Sequence, residues 1–163
     1  RLDIMLDKYS EPRFSFMAES PVEHLTTNFG SLELDKIVSK LSSCSEPRKR
    51  YEYLLFLAKK LPNIPLDTFN PSMKVKGCIS QVYVKGDLKE GKVFWEGYSD
   101  ALITKGILSL LVKGLSNLSP KEIVKIDPTF ITATGLNSSL TASRVNGFMN
   151  IFIKMKSQAS KFL

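Results

Sequence analysis

Met73-Lys-Val-Lys-Gly-Cys-Ile-Ser-Gln-Val-Tyr-Val-Lys85 carries β-branched and aromatic residues suited to strands, in a chain that elsewhere reads mostly as helix. A turn around Gly86, Asp87 and Gly91 joins it to Lys92-Val-Phe-Trp-Glu-Gly97. The pair predicts an antiparallel hairpin, with a short first strand before Gly77. Everything on either side must then pack against it.

Before the hairpin lie two helical patterns. Leu34, Ile37, Val38 and Leu41 recur at helical spacing behind Ser31, a good N-cap residue. After a break at Ser42-Ser43-Cys44-Ser45, Pro47 suits a first helical turn, with Ser45 as the expected cap. Tyr51, Leu54, Leu55, Ala58 and Leu61 form the second stripe, and Pro62 and Pro65 stop it.

After the hairpin, Ser99 or Asp100 is expected to cap a helix with Leu102, Ile103, Ile107, Leu110, Leu111 and Leu115 on its apolar side. Gly106 inside it points to close packing against a neighbour. Ser119-Pro120 opens a short helix, and Pro128 a brief turn ending at Gly135. Thr141 or Ser139 caps a long final helix with a stripe of Val145, Phe148, Met149, Phe152 and Ile153. Helices, then strands, then helices predict an α+β fold, with helices on one face of a small, about three-stranded antiparallel sheet.

Composition bounds the rest. The 163 residues are 43% hydrophobic and 24% charged, which excludes a disordered chain and suits one domain. Residues 1–30 hold three basic against five acidic side chains, so the net +7 becomes +9 over residues 31–163. The lysines are scattered without an arginine cluster, which favours a solvated surface over a nucleic-acid site. No apolar run reaches the ~18 residues of a membrane span. Residues 1–30 read as an irregular leader, too acidic for an intact transit peptide and without the apolar stretch of a secretory signal. Residues 31–163 read as the domain.

The candidate chemistry sits at Lys76-Gly77-Cys78-Ile79-Ser80-Gln81. Gly77 allows backbone conformations other residues resist, so it can present the adjacent thiol at a loop tip. The same thiol can instead be a small buried hydrophobe, as most free cysteines are. The single histidine, His24, lies in the leader, which argues against a Cys–His nucleophile. There is no C-x-x-C pair, two cysteines cannot build a cluster site alone, and a Cys44–Cys78 disulfide stays open. A single-thiol role remains: accept a group, hold it and pass it on. Persulfide sulfur fits, because its transfer needs only a thiolate attacking sulfur. The rival readings are a basic binding module and an iron–sulfur scaffold or carrier.

Three stretches carry a resemblance. Gly77-Cys78-Ile79-Ser80-Gln81-Val82-Tyr83 resembles the G-C-x-S-Q-V-W signature of the SufE family, with Tyr83 for Trp. Gly97-Tyr98-Ser99-Asp100-Ala101 with Lys105-Gly106 is similar to its S-D-(A/S)-x-x-x-K-G stretch. Leu140-Thr141-Ala142-Ser143-Arg144 with Asn146-Gly147 is similar to its L-T-P-S-R-x-x-G stretch, with Ala142 for Pro. The match runs in order from about residue 33 to 160. Leu111-Val112-Lys113-Gly114-Leu115-Ser116 is more similar to plastid than to bacterial members.

The resemblance implies a fold like that of iron–sulfur scaffold proteins. It also implies a partner, a SufS-type cysteine desulfurase, and a downstream iron–sulfur scaffold. The desulfurase, using its own pyridoxal phosphate, strips sulfur from cysteine onto its own thiol; the acceptor takes it as a persulfide and raises the partner's turnover. The chain itself is then an accessory acceptor without a cofactor, not a stand-alone desulfurase. Cys78 matches the acceptor; Gly77, Ser80, Gln81, Asp100 and Arg144 match the supporting positions. Lys74, Lys76 or Arg144 is expected to lower the Cys78 pKa. Arg144, unfavourably placed in a first helical turn, is expected to have a partner in Asp100 or the Cys78 loop. Ser80 and Gln81 are expected to hydrogen-bond around the acceptor loop or to satisfy the strand edge. The implied compartment is the plastid stroma, with the mitochondrion or a bacterial cytoplasm as alternatives. Some plant members carry a further C-terminal domain.

Overall fold

The computed structural model describes residues 26–163. Most of the expected leader, including His24, lies outside the described residues.

Helix α1 (Leu32–Ser42) starts where expected. The Ser31 hydroxyl accepts the Leu34 N–H at 3.2 Å and donates to the Gly114 carbonyl at 2.7 Å, so one side chain both caps the helix and ties it to a distant one. Helix α2 (Pro47–Ala58) has Pro47 in its first turn, but its N-cap is Glu46, without a side-chain bond, and not Ser45. Arg50 from α2 reaches back to the end of α1, donating to the Leu41 and Cys44 carbonyls at 3.0 and 2.8 Å. The Leu41 carbonyl also accepts the Cys44 N–H at 3.2 Å, so Arg50 reinforces the closing turn of α1.

Strands β1 (Val82–Lys89) and β2 (Lys92–Ser99) pair antiparallel from Val82 opposite Ser99 to Lys89 opposite Lys92. The turn is Glu90-Gly91, with φ of 51° and 79°, the two left-handed residues that a tight two-residue hairpin requires. Gly86 and Asp87 therefore belong to β1 and not to the turn. Gly86 is glycine for another reason: a Cβ there would lie 2.6 Å from the Trp95 ring across the ladder.

The sheet has two strands. The segment expected as a third is reduced to a single bridge, Lys74 opposite Tyr83, with the Val75 N–H donating to the Val82 carbonyl at 2.8 Å. The short helical turn Pro71–Met73 before it and the left-handed Gly77 after it leave no room for a longer ladder. The rest of this edge is met by a side chain: the Gln158 amide accepts from Gly86 N–H at 3.1 Å and donates to Val84 carbonyl at 2.8 Å. On the far edge, Val93 exchanges backbone bonds with Asn117 and Leu118.

Val82, Val84, Val93 and Trp95 alternate onto the buried face of the sheet. Helix α3 (Leu102–Leu115) packs against β2 on that face, and the final long helix against β1. The opposite face carries Tyr83, whose ring meets those of Phe69 and Tyr98 at 5.8 and 6.4 Å. The fold is thus α+β, with the helices on one face of a small antiparallel sheet.

Helix α3 is the hub, touching α1, α2 and β2. Gly106 is where α2 crosses it; a Cβ there would overlap the Leu54 carbonyl oxygen. The N-cap of α3 is Ala101, without a side-chain bond, because Ser99 and Asp100 are engaged elsewhere. Short helices α4 (Pro120–Val124, closed by a Ser119/Glu122 capping box) and α5 (Thr129–Ala133) lead to α6 (Ala142–Ser160), capped by Thr141. Helix α6 buries Gly147, Phe148, Ile151, Phe152, Met155 and Ala159. The expected stripe is rotated: Phe148 and Phe152 are inside against Phe130, but Ile153 is 54% exposed.

Candidate functional site

Cys78 lies in the loop between the Val75–Val82 backbone bond and the start of β1. Gly77 has φ +80°, which turns its carbonyl toward α6. There the Asn150 amide donates to it at 3.1 Å. The Cys78 thiol points at the same helix and donates weakly to the Gly147 carbonyl at 3.8 Å. A Cβ at Gly147 would sit 3.5 Å from the sulfur, in ordinary contact, so the thiol rests directly against this turn of the helix.

The far end of the loop is fixed from the other side. Ser80 Oγ lies 3.1 Å from the hydroxyl of buried Thr104 in α3. The Gln81 N–H donates to the Asp100 carboxylate at 2.9 Å. Asp100 is therefore not a helix cap; it binds the loop neck. Between these supports Ile79 is 86% exposed, an apolar side chain held in water beside the thiol.

Cys78, Ser80, Thr104, Ser143, Arg144 and Gly147 line a small cleft, about large enough for one water molecule, that opens to solvent. Six of the positions singled out in the sequence thus fall in one place. Gly77, Cys78, Ser80 and Gln81 form the loop, Asp100 holds its neck, and Arg144 borders the pocket. Two expectations about their electrostatics are corrected. Burial alone pushes the Cys78 thiol up from its ordinary range; Lys74 and Lys76 are exposed and do not lower it, nor does Arg144. Arg144 also forms no ion pair with Asp100, whose carboxylate is taken by the Gln81 amide. At rest the sulfur is a half-buried thiol.

Both cysteines are free, so the Cys44–Cys78 disulfide is not formed. Cys44 sits between α1 and α2, with its Sγ 3.5 Å from the Lys40 carbonyl. Among the described residues, no three His, Cys, Asp or Glu side chains converge as metal ligands, and no helix is long and apolar enough to cross a membrane. Sequence reasoning missed Asn150 and Thr104. Asn150 had one signal: it stands three residues after Gly147, so it lies on the same face of the helix.

Comparison with known proteins gives a consistent result. A family model described as "SufE: Fe-S metabolism associated domain" matches residues 35–159. An uncharacterized SufE-like protein of Synechocystis is 49% identical over 129 residues, 79% of this chain and 81% of that one. The cysteine desulfuration protein SufE of Plasmodium vivax is 39% identical, covering 73% of this chain and 49% of its own. SufE-like protein 1, chloroplastic/mitochondrial, of Arabidopsis thaliana is 39% identical, covering 85% and 36%. The chain thus spans about half or less of those last two relatives. A solution structure of a hypothetical protein from Thermus thermophilus superimposes with TM-score 0.70 at 25% identity, over 80% of this chain and 96% of that one.

Proposed function

The chain belongs to the SufE family, and on that premise we propose that it is a persulfide-accepting sulfur-transfer protein. Its partner is a SufS-type cysteine desulfurase, whose turnover it raises, and its product feeds an iron–sulfur scaffold. The observation that carries this reading is the placement of Cys78: a thiol with no second thiol beside it, on a loop tip fixed at its neck, next to an apolar side chain turned to solvent.

The chemistry needs little else. The Cys78 thiolate attacks the outer sulfur of the partner's cysteine persulfide. A new S–S bond forms on Cys78 as the partner's S–S bond breaks, and the partner's cysteine leaves as thiolate. One sulfur atom moves, the Cys78 proton goes to solvent or to the leaving thiolate, and nothing is oxidised or reduced overall. The pyridoxal phosphate belongs to the partner and acts before this step.

Burial works against the thiolate, so attack requires the loop to bring Cys78 outward, where a solvated thiol ionises more readily. Ile79 is suited to make first contact with an apolar patch on the partner. Arg144, half-buried at the pocket and free of any ion pair among the described residues, is available to the incoming sulfur's negative charge.

Mass spectrometry after incubation with a cysteine desulfurase and free cysteine tests the reading. One added sulfur atom on the peptide carrying Cys78 is expected; sulfur absent, or found on Cys44, overturns it. For the compartment we propose the plastid stroma, supported by the likeness to the plant and cyanobacterial relatives. Fractionation of the native host checks it, and recovery with mitochondria or a bacterial cytoplasm would refute it.

A further inference from the structure

The tip of the Cys78 loop is held down by unequal contacts. Below it the neck is backbone: Val75 to Val82 on one side, Gln81 to Asp100 on the other, continuing into the ladder of β1 and β2. That part has no reason to move. Above it, Ser80 touches Thr104 and the Cys78 thiol gives only a 3.8 Å contact to the Gly147 carbonyl. On the Gly77 side the tie to α6 is the Asn150 amide at 3.1 Å.

We propose that Asn150 is a positioning residue for the acceptor thiol: its bond to the Gly77 carbonyl holds the loop tip inward, and its release sets how readily Cys78 becomes available. The inference rests on reading Cys78 as the acceptor, but its test does not. Asn150 and Gly147 lie three residues apart on one face of α6, so one helix face supplies both the clamp and the acceptor for the thiol. The helix is anchored beneath them by Phe148, Ile151 and Phe152, all buried, so the clamp stands on fixed ground. Gly77 completes the fit. A Cβ there would lie 2.5 Å from Asn150 Nδ2, so any other residue would push the amide aside and disturb its bond to the carbonyl. Glycine next to the cysteine thus serves the clamp as well as the turn.

Asn150→Asp is the sharpest variant. It keeps the shape but at neutral pH replaces a donor with a second acceptor facing the Gly77 carbonyl. Asn150→Ala removes the bond without adding charge and decides the matter if the first variant folds poorly. Iodoacetamide alkylation of the full chain, resolved by peptide, reads the outcome. Both variants are expected to alkylate Cys78 about fivefold faster, the factor that one net hydrogen bond is worth. The inflection of the rate against pH should fall toward that of an ordinary thiol, while Cys44 alkylates at its former rate. Cys78 rates within twofold of the parent, or Cys44 accelerating in parallel, would overturn the clamp. Sulfur transfer from a desulfurase is measured separately: failure of the parent to gain sulfur refutes the acceptor reading and leaves the alkylation result to judge Asn150.

Discussion

Asp100 and Gln81 bind each other twice: the Gln81 N–H donates to the Asp100 carboxylate at 2.9 Å, and the Asp100 N–H donates to the Gln81 carbonyl at 3.2 Å. Residues separated by the whole hairpin are thereby locked where the Cys78 loop meets the sheet. The side-chain half can be removed alone. Asp100→Ala should cost about 1 kcal/mol, a net hydrogen bond at an exposed site. That corresponds to a fall of about 2–4 °C in the melting midpoint. Asp100→Asn keeps the acceptor and should recover most of it. Equal midpoints for Asp100→Ala and the parent would show that the backbone half suffices.

Gly106→Ala sets two effects against each other. Helix propensity alone favours alanine by about 1 kcal/mol. Here the new methyl group meets the Leu54 carbonyl oxygen, part of a helix backbone that cannot yield without shifting α2. Overpacking of this kind costs about 1–3 kcal/mol, so the variant should be destabilised on balance. A chemical denaturation midpoint at or above that of the parent would contradict the packing argument.

Gly77→Ala meets both a left-handed backbone, unfavourable for alanine by about 1–2 kcal/mol, and the Asn150 amide. The expected result is a lower melting midpoint together with faster Cys78 alkylation, because the tip can no longer seat. An unchanged alkylation rate would separate the backbone strain from the loop position.

The raised Cys78 pKa has a definite sign for stability. Because the folded value lies above the unfolded one of about 8.5, the protonated thiol is favoured by folding. Its contribution is present below the unfolded pKa and is lost as pH rises through the folded one. Melting midpoints should therefore decline more steeply above about pH 8.5 in the parent than in Cys78→Ala. Parallel curves would show that the thiol is solvated at rest.

Cys78→Ser should abolish sulfur acceptance and desulfurase stimulation, while Cys44→Ser should leave both intact. Arg144→Ala should weaken stimulation more than folding, since no ion pair among the described residues is lost. Steady-state desulfurase assays at matched concentrations check all three, and stimulation persisting in Cys78→Ser would be decisive against the sulfur role.

What was legible in the sequence depended on how local its cause was. Leu34, Ile37, Val38 and Leu41 are buried as their spacing predicts, and Ser31 and Thr141 cap as expected, because such signals act within one or two turns. Three of the misplacements have causes outside the local sequence. Ser99 and Asp100 look like caps for α3, yet Asp100 is drawn away by Gln81, far back in the chain. Gly86 resembles a turn residue, but it is the Trp95 ring across the ladder that requires it. The stripe of α6 is rotated because its apolar residues cover a face wider than the one that can be buried, and contacts with Phe130 and the sheet decide which part is inside. In the site, Cys78 and Gly77 stood out as a local pair. Asn150 did not, since nothing near residue 150 reveals that a carbonyl from residue 77 will lie above it.

Gln158 has a consequence for how the molecule behaves in company. One glutamine does the work of a neighbouring strand, meeting both the donor of Gly86 and the acceptor of Val84. Were the last turns of α6 to unravel, that rim would lie bare and invite the same rim of a second molecule to zip onto it. Fraying at the C-terminal end of the helix would thus uncover an unpaired sheet edge, which the Gln158 amide covers in the folded chain.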